Sequence, residues 1–264
     1  MSSKKVVLTA SLLSAMLTAC GGAGGDAITP ANTPTPTAAP TATPAPVTAQ
    51  GIWKESHTDA SNGNSLEETA AVLLENGTAI TLAWSNGTLN DLNITNYNYA
   101  NQSLSFSSTF EADPLASMTL SSLSLSGAVS SQGLTLRETG ASSGLTLNAV
   151  GSTPAKISDV VGTYTGKSYA GAGTTYLNVP DGFKVLSDGS IVDNAVTSCR
   201  FSGQLTPSTK MNAFTFTLTF NPSGCVLNGQ TVTGIAFKEP FRNKLVAFGA
   251  NATKTQGLYF EGSK

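Results

Sequence analysis

The chain has 264 residues with 14 Lys or Arg, 16 Asp or Glu and one His, giving a formal charge of −2 with only 11% of residues charged. That length allows one or two domains with real cores. A charge-poor, mildly acidic chain has no basic stripe to neutralise phosphates, which argues against nucleic acid as a partner.

The first twenty residues, "MSSKKVVLTASLLSAMLTAC", place Lys4 and Lys5 ahead of an apolar run from Val6 to Leu17, followed by small residues before Cys20. This is the layout of a secretory signal peptide over residues 1–19, and the apolar run is too short for a stable bilayer-spanning helix. Removing Lys4 and Lys5 leaves 12 of the 14 basic side chains against 16 acidic ones, a formal −4. The tetrapeptide Leu17-Thr18-Ala19-Cys20 resembles the lipobox of bacterial lipoproteins. The resemblance implies cleavage after Ala19, a diacylglycerol on the Cys20 sulfur and acylation of the new amino group. A cysteine suits this because its thiolate is the nucleophile that takes the lipid. Each buried methylene then contributes ~0.8 kcal/mol, so several acyl chains anchor a soluble domain without a transmembrane helix. Gly21 stands where inner-membrane retention often uses Asp, so the resemblance implies the outer membrane and leaves open which face carries the domains.

Residues 20–50 are Cys20 and, after it, "GGAGGDAITPANTPTPTAAPTATPAPVTAQ", which contains Pro30, Pro34, Pro36, Pro40, Pro44 and Pro46 and no aromatic residue. A Pro-, Thr- and Ala-rich segment of this kind buries too little apolar surface to fold and stiffens toward polyproline II. At ~3.1 Å per residue, it is a disordered tether that reaches up to roughly 90 Å from the lipid.

The rest of the chain reads as two similar halves, residues 51–150 and 156–264. "GIWKES" from Gly51 aligns with "GTYTGKS" from Gly162, and "VLLENGTAI" from Val72 with "KVLSDGSIV" from Lys184. "SLSFSSTF" ending at Phe110 aligns with "AFTFTLTF" ending at Phe220, "MTLSSLSLSGAV" from Met118 with "CVLNGQTVTGIA" from Cys225, and "GLTL" from Gly144 with "GLYF" from Gly257. The order is kept throughout, which is the signature of a duplicated unit.

Each half is dense in strand signals. Phe214, Phe216, Leu218 and Phe220 alternate with Thr215, Thr217 and Thr219, giving a strand one apolar and one polar face. "ENGT" at Glu75–Thr78 and "SDGS" at Ser187–Ser190 sit between apolar runs as hairpin turns. The runs between such turns number roughly eight per half, the spacing of meandering antiparallel sheets. The fold class is therefore all-β, with two small antiparallel β-barrel or sandwich domains, the barrel being favoured because closure removes sheet edges.

Cys199 and Cys225 fall in the second half, and an exported chain meets an oxidising compartment, so they are expected to pair. Two strand spacings are roughly 9.6 Å, whereas bridged Cα atoms lie about 4.4 to 6.8 Å apart, so a flat three-strand arrangement forbids the bond. It forms if the middle strand stops at Phe220 and "NPSG" lets Cys225 fold past its end. In the repeat alignment Cys225 falls opposite Met118 and Cys199 opposite Leu92, an apolar pair in place of the disulfide.

Chemistry is sparse. His57 lies in "SHTDASNGNSLEE" with Asp59, Glu67 and Glu68, read as a polar hairpin loop, since the spacing matches no metal site. No Gly-x-Ser-x-Gly elbow, phosphate loop or dinucleotide fingerprint is present, so the chain reads as non-enzymatic, with no cofactor. "NITNYNYANQ" from Asn93 to Gln102 puts Tyr97 and Tyr99 on one strand face. They could contact a sugar or peptide ligand, or cover a barrel end from an edge strand.

The segment "CRFSGQL...FTFTLTF...VTGIAF...VAFGANATKTQGLYFEG", Cys199 to Gly262, resembles the closing barrel of Gram-negative surface lipoproteins of the transferrin-binding protein B and factor H-binding protein kind. The resemblance carries over no ligand identity. The reading it accompanies is a lipid-anchored binding module, in which loops at one barrel end contact a protein, glycan or small molecule. Two other readings stay open: a structural envelope protein with no diffusible ligand, and an inhibitor of a cell-wall-degrading enzyme.

Overall fold

The computed structural model describes residues 48–264 except 114–116, 152, 173–174, 177–178, 194–198 and 222–224. The expected signal peptide, Cys20 and all but the last residues of the linker lie outside the described residues, as does the side chain of Met118.

The first half is a meander of β1 (Gly51–Asp59), β2 (Ser65–Leu73), β3 (Thr78–Ser85), β4 (Thr88–Ala100), β5 (Ser103–Asp113), β6 (Ser117–Leu123), β7 (Leu125–Ser130), β8 (Gly133–Glu138) and β9 (Leu145–Val150). The ring β4-β3-β2-β1-β9-β8-β7-β5 closes through the β4–β5 pairing into an eight-stranded antiparallel barrel. Long β5 carries β7 along Ser103–Ser105 and β6 along Thr109–Asp113.

A short helix, α1 (Ile157–Val160), leads into the second half. This consists of β10 (Gly162–Ala172), β11 (Thr175–Tyr176), β12 (Val179–Val185), β13 (Ser190–Asp193), β14 (Phe201–Pro207), β15 (Ala213–Phe220), β16 (Thr231–Lys238), β17 (Leu245–Asn251) and β18 (Gln256–Ser263). The ring β10-β12-β13-β14-β15-β16-β17-β18 closes through β10–β18, a second eight-stranded barrel, and β11 is appended to β10. The two barrels are thus successive copies of one meander, and no sandwich is formed.

The copies match at the level of single hydrogen bonds. In the β2–β3 turn Leu74 N donates to Thr78 O (2.9 Å), Gly77 N to Leu74 O (3.1 Å) and Thr78 N to Asn76 Oδ1 (2.9 Å). In the β12–β13 turn Leu186 N donates to Ser190 O (2.9 Å), Gly189 N to Leu186 O (3.0 Å) and Ser190 N to Asp188 Oδ1 (2.9 Å). The glycines carry the left-handed residue at φ 81° and 84°. Both are three-residue connections with one left-handed position. The two-residue turn with both central residues at positive φ occurs instead at Asn86 and Gly87, φ 48° and 75°.

The next strand is also docked alike: Tyr97 N donates to Gly77 O (2.7 Å) and Leu205 N to Gly189 O (2.8 Å). Tyr97 is therefore equivalent to Leu205, which puts Cys199 opposite Asp91. The expected match to Leu92 is off by one residue. Because side chains alternate, that slip exchanges the two faces of the strand.

Inward-facing residues fill separate cores. Trp53, Ala71, Leu73, Ala79, Leu104, Leu134 and Leu147 cluster inside the first barrel. Tyr164, Phe201, Leu205, Phe214, Phe216, Phe220 and Phe260 cluster inside the second. The residues between them on the strands face out. Ile52, Val72, Ile80, Leu82, Trp84, Leu92 and Ile94 of the first barrel join Ala213, Ile235, Phe237, Val246, Phe248 and Tyr259 of the second in one buried cluster. The barrels thus share a seam built from outer faces, so all seven residues of β17 are buried. The alternation of one apolar and one polar face does not hold there. Each fully buried large apolar side chain stabilises by about 1.5–3 kcal/mol.

Polar contacts frame the seam. The β16–β17 turn presents Arg242, ion-paired to Glu68, with its guanidinium 5.5 Å from the Trp84 ring centre. Glu239 shapes that turn by accepting from the N–H groups of Phe241 (2.8 Å) and Arg242 (2.5 Å). Burial nonetheless pushes the Glu239 carboxyl above its usual range. At the far side Glu75 accepts from Ser208 Oγ (2.9 Å) and Thr209 N (3.2 Å). Burial opposes ionisation of Glu75, yet these bonds and one from its own backbone hold its carboxyl below the usual value.

Cys199 and Cys225 form a disulfide with Cα atoms 4.5 Å apart. The last β14–β15 pair is Phe201 with Phe220, and Asn221 N donates to Arg200 O (2.9 Å) just beyond it. With β15 ended at Phe220 and β16 starting at Thr231, Cys225 passes the end of the middle strand and meets Cys199 directly. Both sulfur residues pack against the second core.

Candidate functional site

The two barrels differ inside. In the second, the space among Phe183, Phe201, Phe216, Phe220 and Phe260 is a small apolar void of about 40 Å³. In the first, one end opens into a cavity of about 220 Å³. Its polar side is formed by Thr69, Thr81, Asp91 and Asn93, and its apolar side by Leu125, Leu136 and Leu145.

Register explains the lining. Residues directly opposite one another on neighbouring strands share a face. Trp53 and Ala71 are inside, and Trp53 pairs with Ala71, Ala71 with Thr81, Thr81 with Asn93, and Asn93 with Glu111. One rung further toward the opening, Glu55 pairs with Thr69, Thr69 with Ala83, and Ala83 with Asp91. Beyond that lies His57, paired with Glu67. Across the barrel Glu138 pairs with Leu125. The inner face at this end therefore carries Glu55, Glu67, Asp91, Glu111 and Glu138. Arg137 also borders the cavity, but its Nε donates to Ala141 O (2.7 Å) in the neighbouring turn.

Asn93 is the distinctive residue. It is 5% exposed, its Nδ2 donates to Asp91 Oδ2 (3.2 Å), and its Oδ1 has no hydrogen-bond partner among the described residues. The bond to the carboxylate fixes the amide orientation, so the unpaired atom is the acceptor. The equivalent position in the second barrel, by the Tyr97–Leu205 match, is Phe201. An aromatic ring that fills one barrel is replaced by an amide in the other, and the cavity follows from the lost volume.

The residues singled out by sequence are placed as follows. Tyr97 and Tyr99 lie on β4, which is paired on both sides, so this is not an edge strand. Both rings pack against the core of the first barrel. The Tyr97 hydroxyl donates to Leu74 O (2.6 Å), and burial together with the Glu75 carboxylate pushes it up to about 12. His57 lies within β1 rather than in a loop, and its Nδ1 is 2.9 Å from Glu55 Oε1. Asp59 accepts from Ser61 N (2.8 Å), Glu67 from Ser65 and Ser85 (2.6 and 2.7 Å), and Glu68 turns outward to Arg242. Among the described residues no group of three or more His, Cys, Asp or Glu side chains converges on a common metal position.

Sequence reasoning missed the acidic opening because its members come from β1, β2, β4, β5 and β8, scattered over more than eighty positions. The signal that finds it is the duplication itself, since aligning Asn93 with Phe201 marks a polar residue at a core position. No family model, no curated protein and no solved structure matches the chain.

Proposed function

We propose that this is a lipid-anchored cell-envelope binding protein, without enzymatic activity, that holds its ligand in the open end of the first barrel. The observation that carries this reading is the contrast between copies: the second barrel is filled with aromatic rings, while the first keeps a 220 Å³ cavity at the same level. A polar residue retained at a core position costs stability and is the mark of a function served there. The filled barrel, tied by its disulfide and by the seam, then acts as the rigid mount of the open one.

The anchor is Cys20, in line with the lipobox resemblance, and the proline-rich tether holds the barrels away from the outer membrane. The resemblance of Cys199–Gly262 to surface-lipoprotein barrels supports display of a binding domain.

Native mass spectrometry of the protein purified from its own envelope tests the site. The wild-type chain is expected to carry a small-molecule adduct that Thr81→Leu, which fills the cavity, does not carry. Identical spectra for the two chains, with or without adducts, would sink the reading. Cys20→Ser is expected to release the protein from membranes, and unchanged retention would refute the anchor.

A further inference from the structure

We infer that the ligand of the first barrel is a small alkyl ammonium ion, whose charged end sits by Asp91 and Asn93 and whose methylenes lie along Leu125, Leu136 and Leu145. This rests on the open end of that barrel being the binding site. Three features of the opening lead to it.

The first is charge. Glu55, Glu67, Asp91, Glu111 and Glu138 share the inner face at this end, against His57 and an Arg137 drawn aside to Ala141. In a cleft with low-dielectric walls, charges of one sign focus the field and concentrate ions of the other. The second is the hydrogen-bonding type. The buried Oδ1 of Asn93 is, among the described residues, an acceptor without a donor, and the adjacent Asp91 carboxylate also accepts. An ammonium group brings three donors and a positive charge, and bonds from it to a carboxylate are of the strong, charge-assisted kind. A neutral carbonyl or an anion brings only further acceptors.

The third is shape. One wall of the cavity is leucine, and the volume of about 220 Å³ is below the range of typical drug-sized pockets, which begins near roughly 300 Å³. The ligand is therefore short and has an apolar stem. A bare metal ion fits less well, because the carboxylates are spread around the ring and, among the described residues, no three converge.

Titration calorimetry on the full chain in detergent micelles, at low ionic strength, compares 1,5-diaminopentane with pentane-1,5-diol and with calcium chloride. The diamine is expected to bind saturably and the diol not to bind. Loss of a charge-assisted bond weakens binding by about tenfold or more, so Asp91→Asn and Asn93→Leu are each expected to do so. Thermal melting of both variants serves as the folding control, and Asp91→Asn, an isosteric change, keeps the test valid if Asn93→Leu repacks. Diol binding equal to diamine binding, lost in the same variants, would overturn the ammonium ligand while keeping the site. Calcium binding that displaces the diamine would overturn it in favour of a metal. Diamine binding unchanged in both variants, or no binding of any of the three probes, would overturn the inference; the adduct comparison with Thr81→Leu then decides separately whether the cavity is a site at all.

Discussion

Arg242 of the second barrel is ion-paired with Glu68 of the first, and the two side chains are only 24% and 9% exposed. A pair so far removed from water is held less by its net attraction than by the cost of breaking it. Removing one partner strands a buried charge, typically at about 3–5 kcal/mol, whereas replacing both with apolar side chains is often neutral. Arg242→Met is therefore expected to lower the urea-unfolding free energy by about 3 kcal/mol, and Glu68→Met combined with Arg242→Met to restore most of it. A double variant no more stable than the single one would show that the side chains act by packing alone.

The disulfide closes a loop with a sequence separation of 26 residues. On the chain-entropy model this restrains the unfolded state by about 3–4 kcal/mol. The paired change Cys199→Ala and Cys225→Ala is expected to lower stability by that order, read from the far-ultraviolet circular dichroism transition in urea. A shift below about 1 kcal/mol would mean that the strand end at Phe220 holds the loop without the bond.

Tyr97 supplies a pH dependence. Its hydroxyl is pushed up to about 12 in the folded protein, with burial as the main cause, while an unfolded tyrosine ionises near about 10. Below pH 10 both states are protonated and the contribution is whole. As pH rises from 10 to 12 the unfolded chain ionises first, so stability falls across that window. Tyr97→Phe is expected to flatten this fall and to remove one late-titrating phenol from the ultraviolet absorbance titration. A Tyr97 that titrates with the exposed tyrosines would contradict the bond to Leu74 O.

Asn93→Leu offers a test of trade-off. The variant removes an unpaired buried acceptor and adds apolar volume where the sister barrel has Phe201, so it is expected to raise stability by about 1 kcal/mol. A clear loss in thermal melting would show that the amide is structural.

How much of this was legible in the sequence depends on the range of the interactions. The barrels were, because strand alternation at Phe214–Phe220 and the turns at Asn76-Gly77 and Asp188-Gly189 are local. The disulfide was, because β15 stops at Phe220 for reasons visible in "NPSG". The seam was not. It appears only when the outward residues of β2 and β3 meet those of β16 and β17, more than one hundred and fifty positions away. The continuous apolar run "AAVLL" at Ala70–Leu74 was its trace, since a strand buried on both faces loses the polar half of its alternation. The register slip at Leu92 has the same origin, for a hydrogen bond from Tyr97 to Gly77 fixes what letter matching leaves ambiguous by one.

The seam also bears on how the outer faces of the two copies differ. It joins unlike faces, the β1–β4 side of one copy to the β15–β18 side of the next. A head-to-tail contact of that kind has no built-in end and propagates into filaments when the unmatched faces are equally sticky. Here they are not. The first copy leaves Ser126, Ser130, Thr146 and Asn148 outward and exposed, and the second leaves Lys184, Ser202 and Thr206. Substituting leucines for Ser126 and Thr146 on one side and Ser202 and Thr206 on the other would make the two unmatched faces adhesive and let one pair of barrels add to the next.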